Sequence, residues 1–209
     1  MNVSLAAIPL WVAVLPLGAY LAILGWLHLC RRPTLLGGGQ DLMLLALAVS
    51  GLVMAGPLAL VQPALGATPW ATGMLLLLFT LAVAVGILAT RPRLVIYNIT
   101  VEQLRPILAE VASGLDPSTR WAGESVALPT RGLQVLMDGH GLVKSVSVVA
   151  VGSRTSAEAW TEFVRRLRQA VGSLRVRRNL WGGMLAAVGL LIVTLAIGWA
   201  AVVGPLLTT

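Results

Sequence analysis

Four long stretches of the chain contain no Asp, Glu, Lys or Arg: 5–29, 42–61, 70–90 and 180–203. An α-helix needs about 20 apolar residues to cross the hydrocarbon core of a bilayer. Inside that core, water cannot satisfy the backbone N–H and C=O groups, so an apolar stretch of this length has to be helical. The sequence therefore predicts an integral membrane α-helical protein with four transmembrane helices. Composition agrees: 11% of residues are charged and the mean hydropathy is +0.89, whereas soluble domains carry about 25% charged residues. Trp26, Trp70, Trp181 and Trp199 fall near the predicted span ends, where an indole ring meets both apolar and wet surroundings.

The first stretch does not read as a signal peptide, which opens with positive residues and has a short apolar core. Residues 1–10 hold no Lys or Arg, and Arg31 and Arg32 follow the stretch instead. It reads as a retained helix whose N-terminus faces outward. Pro9, Pro16 and Pro57 lie within the predicted spans and are expected to kink them.

Orientation follows from the basic residues close to the spans. Those residues are Arg31, Arg32, Arg91, Arg93, Arg175, Arg177 and Arg178, and they all fall in 31–41 or 91–178. Residues 1–4, 62–69 and 204–209 contain no Lys or Arg. Both termini are thus expected outside a cell (inner) membrane, with the 91–178 segment cytoplasmic.

The predicted organisation is three helices in 1–90, a small α+β domain in 91–178, and a fourth helix with a short outer tail in 179–209. Within the domain, Leu94–Tyr97 reads as a strand. Thr100 and Gln103 make a capping box, and Leu104, Ile107, Leu108, Val111 and Leu115 recur at helical spacing. Pro106 lies too deep for that helix's first turn, so the helix starts late or bends. Gly114 is its expected stop. Arg120–Ala122 is a candidate short strand. Ser125–Leu128, Leu133–Asp138 and Val143–Val151 read as strands, with Gly139-His140-Gly141 as a turn. A second capping box, Thr155 with Glu158, opens a helix whose stripe is Trp160, Phe163, Val164, Leu167 and Val171. Glu162 precedes Arg166 at the spacing of a surface ion pair. The order is β-α-β-β-β-α, with two helices on one face of a mainly antiparallel sheet. Gly37-Gly38-Gly39 reads as a flexible loop tip.

Candidate chemistry is sparse. The glycine triplet lacks the Lys-Ser/Thr of a phosphate-binding loop. The single cysteine, Cys30, rules out an internal disulfide. His28 and Cys30 are two residues apart and point to different helix faces. No cofactor and no metal are expected. His140 with Asp138, or a carboxylate such as Glu102 or Glu124, are the acid–base residues an enzyme would need. The spans hold Ser50, Thr72, Thr80, Thr194 and Tyr20 as polar side chains but no carboxylate, which weakens an ion-coupled transport reading. Small residues four apart (Gly18/Ala22, Gly51/Ala55, Ala82/Gly86, Gly182/Ala186) permit close helix approach.

The strongest polar feature is basic. Arg165, Arg166 and Arg168 lie late in the last domain helix, and Arg175, Arg177 and Arg178 abut the fourth span. They are candidate contacts for anionic lipid headgroups or a partner protein. Nucleic acid is not expected, because no aromatic interleaving or known module accompanies the charge. The leading functional expectation is a non-enzymatic membrane subunit that scaffolds or modulates a larger complex through its cytoplasmic domain, with protein partners or copies of itself in the membrane. Two alternatives stand beside it: a transport or channel component, and a membrane-bound enzyme acting on a lipid or apolar substrate.

Overall fold

The structure is a computed structural model. It describes residues 9–66, 68–140, 144–152, 156–176 and 179–203, without the side chains of Pro69, His140 and Val203. In chain order the elements are α1 (Leu10–Leu29), β1 (Thr34–Gly37), α2 (Gly38–Leu65), α3 (Pro69–Ala89), β2 (Arg93–Tyr97), α4 (Val101–Leu115), β3 (Arg120–Ala122), β4 (Ser125–Leu128), β5 (Leu133–His140), β6 (Ser145–Val151), α5 (Ala157–Gly172) and α6 (Leu180–Val203). Contacts divide the chain into a helical unit (Met1–Trp26, Leu42–Ala89, Gly183–Thr209) and a sheet unit (Leu27–Asp41, Thr90–Gly182).

Four helices, α1, α2, α3 and α6, are long and apolar enough to cross a membrane. Their boundaries differ from the expected spans where proline or glycine intervenes. Pro9 precedes α1 instead of kinking it, and its carbonyl accepts from Val12 N at 2.9 Å and Ala13 N at 3.3 Å. The second helix begins four residues early, at Gly38, and runs to Leu65. It widens into a π turn at Met54–Leu58, which contains Pro57. A proline removes one N–H and its ring presses on the preceding turn, and a wider turn relieves both.

Small residues set the packing within the helical unit. A Cβ on Gly25 would strike the Ala186 backbone, and one on Gly189 would strike the Ala22 nitrogen and the Gly18 carbonyl oxygen. One on Gly51 would strike the Ala13 carbonyl. Gly18, Ala22, Gly51 and Ala186 of the predicted pairs are therefore at close helix contacts, whereas a Cβ on Gly86 would meet only the Leu42 side chain at 3.7 Å. At the far end of α2, Gln62 Nε2 donates to Thr72 Oγ1 at 2.6 Å, and both side chains are buried.

The sheet unit holds six antiparallel strands in the order β1-β2-β6-β5-β4-β3. Strands β3 to β6 form a meander, β2 lies beside β6, and β1 closes the edge. Side chains alternate across a strand. Leu94, Ile96, Val126, Leu128, Leu133, Val135, Met137, Val146, Val148 and Ala150 therefore share one face, where they pack with Leu104, Leu108, Val111, Phe163, Leu167 and Val171 of α4 and α5. The expected placement of both helices on one face holds.

Several local expectations change. The candidate short strand Arg120–Ala122 is present as β3, which the β-α-β-β-β-α order left out, and the connection that holds the expected glycine tip contributes β1. Gly37 ends that strand, and Gly38-Gly39 opens α2. Helix α4 keeps its Thr100/Gln103 capping box and continues through Pro106. The carbonyl that loses its partner there belongs to Glu102, in the exposed first turn. The helix passes Gly114 and stops at Asp116. The fully buried Asp116 carboxylate accepts from Ser118 Oγ at 2.6 Å, Ser118 N at 2.9 Å and Thr130 N at 2.8 Å. Burial alone would raise its pKa, but these bonds together outweigh it and hold the carboxyl well below the usual carboxylate range. Helix α5 is capped by Ser156, whose Oγ accepts from Ala159 N at 3.3 Å. Thr155, of the expected second capping box, lies outside the described residues. Strand β5 runs on through His140, whose backbone pairs with Ser145, so Gly139 and His140 of the expected turn are strand, and Gly141 lies outside the described residues.

The helix contacts make one test direct. Gly189→Ala should lower the unfolding midpoint of the detergent-solubilised chain, because backbone atoms have to yield, at a cost of about 1–3 kcal/mol. Gly198→Ala on the same helix meets open space and should leave the midpoint unchanged. Equal behaviour of the two variants would refute the close contact.

Candidate functional site

The sheet unit takes in three stretches that border apolar helices: the last turn of α1, the first turn of α2 and the residue before α6. Polar side chains of β2 join them. Asp41 sits in the first turn of α2, where the helix dipole favours a carboxylate. It accepts from Arg93 Nη2 at 3.0 Å and from Tyr97 Oη at 2.5 Å. The side chains of Arg93 and Asp41 are 33% and 20% exposed, so the pair is neither a freely solvated bridge nor a deeply buried one. Arg93 also packs so closely on Gly38 that a Cβ there would collide with it.

Beyond the hydroxyl, the Tyr97 ring meets the fully buried His28 edge-on, with centroids 5.5 Å apart at 75°. Next in sequence, Asn98 adopts a left-handed backbone, φ 64°, which asparagine tolerates better than most residues. That turn aims its Nδ2 at the Cys30 carbonyl, 2.7 Å away. Asn179 N donates to the His28 carbonyl at 3.3 Å, and Asn179 Oδ1 accepts from Trp181 N at 3.3 Å, the geometry of an N-cap for α6. Asn98 Oδ1, Asn179 Nδ2 and Arg93 Nε are buried without a hydrogen-bond partner. Unpaired buried groups cost about 1–3 kcal/mol each.

Sequence reasoning missed Asp41, Tyr97, Asn98 and Asn179. One signal was available: Asp41 is the sole acidic residue outside 91–178. It also follows Gly38-Gly39 at the start of an apolar run, where a helix N-terminus wants an acid.

The predicted basic residues separate into groups. Glu162 binds Arg165 Nη2 and Arg166 Nε, each at 2.7 Å. The Arg165 and Arg166 guanidinium groups beside it pull its carboxyl down to about 2. Arg166 Nη1 also donates to the Gly114 carbonyl at 3.1 Å, fastening α5 to α4. Arg168 and Arg175 are exposed. Arg177 and Arg178 lie outside the described residues. Asp138 is exposed on β5 opposite Ser147, and Glu102 and Glu124 are exposed elsewhere on the unit. The His140 side chain is outside the described atoms.

Two concavities are notable. One, of about 520 Å³, lies between the end of α4 and the start of α5 and is lined by Leu115, Thr130, Arg131, Ser156, Glu158 and Glu162 among others. The other is in the helical unit, an apolar groove of about 650 Å³ between α1 and α6, with Trp11, Leu17, Ile192 and Trp199 in its walls. No family model matches the sequence, and no curated protein or solved structure is significantly similar to it.

The Tyr97–Asp41 bond can be isolated by a double-mutant cycle. Tyr97→Phe and Asp41→Asn should each destabilise the chain, and the two should be coupled by about 1–2 kcal/mol. Coupling near zero in unfolding measurements would show that the bond does not hold the first turn of α2, Gly38–Asp41, to β2.

Proposed function

We propose that this chain is a multi-pass subunit of the cell (inner) membrane that scaffolds or modulates a larger membrane complex without catalysing a reaction. Both termini lie outside and the 91–178 domain is cytoplasmic, where it acts as the interaction module. The observation that carries this reading is the union of the domain with helix ends. Strand β1, Asp41 with Arg93 and Tyr97, and Asn98 with Cys30 build the ends of α1 and α2 into the sheet. A partner bound to such a sheet would meet those helix ends as part of the same unit, which suits a scaffolding part. The helices support the same reading. Within the most apolar stretch of each, only 11–17% of residues are buried by this chain, leaving broad faces for lipid and partner helices.

A second reading, a transport component for an apolar or amphiphilic molecule, is favoured by the groove between α1 and α6. Its lining is almost wholly aliphatic and indole, the surface such a cargo needs.

Two experiments test the proposal. Alkaline phosphatase joined after Arg178 should be inactive, and an active fusion would invert the orientation. Native mass measurement after gentle detergent extraction should find the chain in a larger protein assembly. A lipid-only monomer under every mild condition would overturn the scaffolding role.

A further inference from the structure

Two main-chain bonds join the end of α1 to residues just before α6. Val176 N donates to the Arg31 carbonyl at 2.9 Å, and Asn179 N donates to the His28 carbonyl at 3.3 Å. The first of them brings Arg175, the residue before Val176, near Arg31 and its neighbour Arg32. Like charges brought near one another repel.

Nothing among the described residues offsets this charge. The ion pairs there join Arg93 to Asp41 and Arg165 and Arg166 to Glu162. Arg31, Arg32 and Arg175 are all exposed and take no part in them. Three exposed arginines from two segments are thus carried on backbone that one hydrogen bond holds together, and a guanidinium fork matches phosphate oxygens in a bidentate fashion.

Apolar surface adjoins the same place. Leu29, at the end of α1, is 37% exposed, and Leu180 and Trp181, at the start of α6, are 88% and 55% exposed. Free phosphate gains nothing from that surface. A lipid that carries phosphate on one end and hydrocarbon on the other gains from both halves.

We propose that Arg31, Arg32 and Arg175 form a binding site for the phosphate-bearing headgroup of an anionic phospholipid, whose chains lie against Leu29, Leu180 and Trp181. The site rests on the membrane reading above. It moves the predicted lipid contact away from Arg165 and Arg166, which Glu162 already engages.

The test uses the full chain in mild detergent, titrated with phosphatidylglycerol, phosphatidylcholine or inorganic phosphate and followed by native mass spectrometry. Phosphatidylglycerol should be retained in preference to phosphatidylcholine. Arg175→Gln should reduce that preference about five-fold, and Arg31→Gln/Arg32→Gln by more. These substitutions leave the main-chain bonds intact, and an unchanged far-UV spectrum verifies this. Arg120→Gln, on the far edge strand, should retain the full preference. An equal loss in Arg120→Gln would show that net charge alone is responsible and overturn the site. Displacement of the lipid by equimolar inorganic phosphate would overturn the lipid assignment. A carbonate wash of membranes separates the two levels. A chain that stays in the membrane yet holds both lipids equally loses this site alone, and a chain that washes off loses the membrane reading as well.

Discussion

The pairing of β1 with β2 is the constraint on which the sheet unit depends. The strand comes from a short connection between two apolar helices, and its partner begins just after a third. Thr34 to Gly37 align with Tyr97 to Leu94, so the chain on either side of β1 has no freedom of register. A one-residue slip would send Leu35 from the core side of the sheet to the opposite side. It would also carry Asp41 out of reach of Arg93 and Tyr97. The polar cluster is in this sense a consequence of the strand pairing.

The two units solve different problems. The sheet unit closes a conventional core, with alternating buried residues of four strands against two amphipathic helices. The helical unit has little interior of its own and relies on backbone approach at Gly18, Gly25, Gly51 and Gly189. In lipid no hydrophobic force drives helices together, so close packing of small residues carries the association. The small-residue positions are therefore where helix arrangement is decided, while large Leu and Trp side chains stay exposed on these helices.

Charge has two roles that composition could not separate. Arg165 and Arg166 read in the sequence as part of a basic run. In the folded chain they share one carboxylate, and Arg166 additionally clamps α5 to α4. Arg31 and Arg175 are remote in sequence, but a backbone hydrogen bond from Val176, the residue after Arg175, to Arg31 brings them near. Local spacing reports charges on one helix face. It is silent on charges that converge from two segments.

The sequence by itself determined the four apolar helices, the two amphipathic domain helices, most of the strands and the stripe of core residues. These are readable because burial imposes a period, and a period survives in one dimension. Strand β1 was not legible, since Thr34-Leu35-Leu36-Gly37 is too short to display alternation and lies beside three glycines. The cluster of His28, Asp41, Arg93, Tyr97, Asn98 and Asn179 was not legible either. Its members span some 150 positions and meet only through long-range pairing, which only the tertiary structure decides, because a hydrogen bond depends on distance in space and leaves no spacing in the chain.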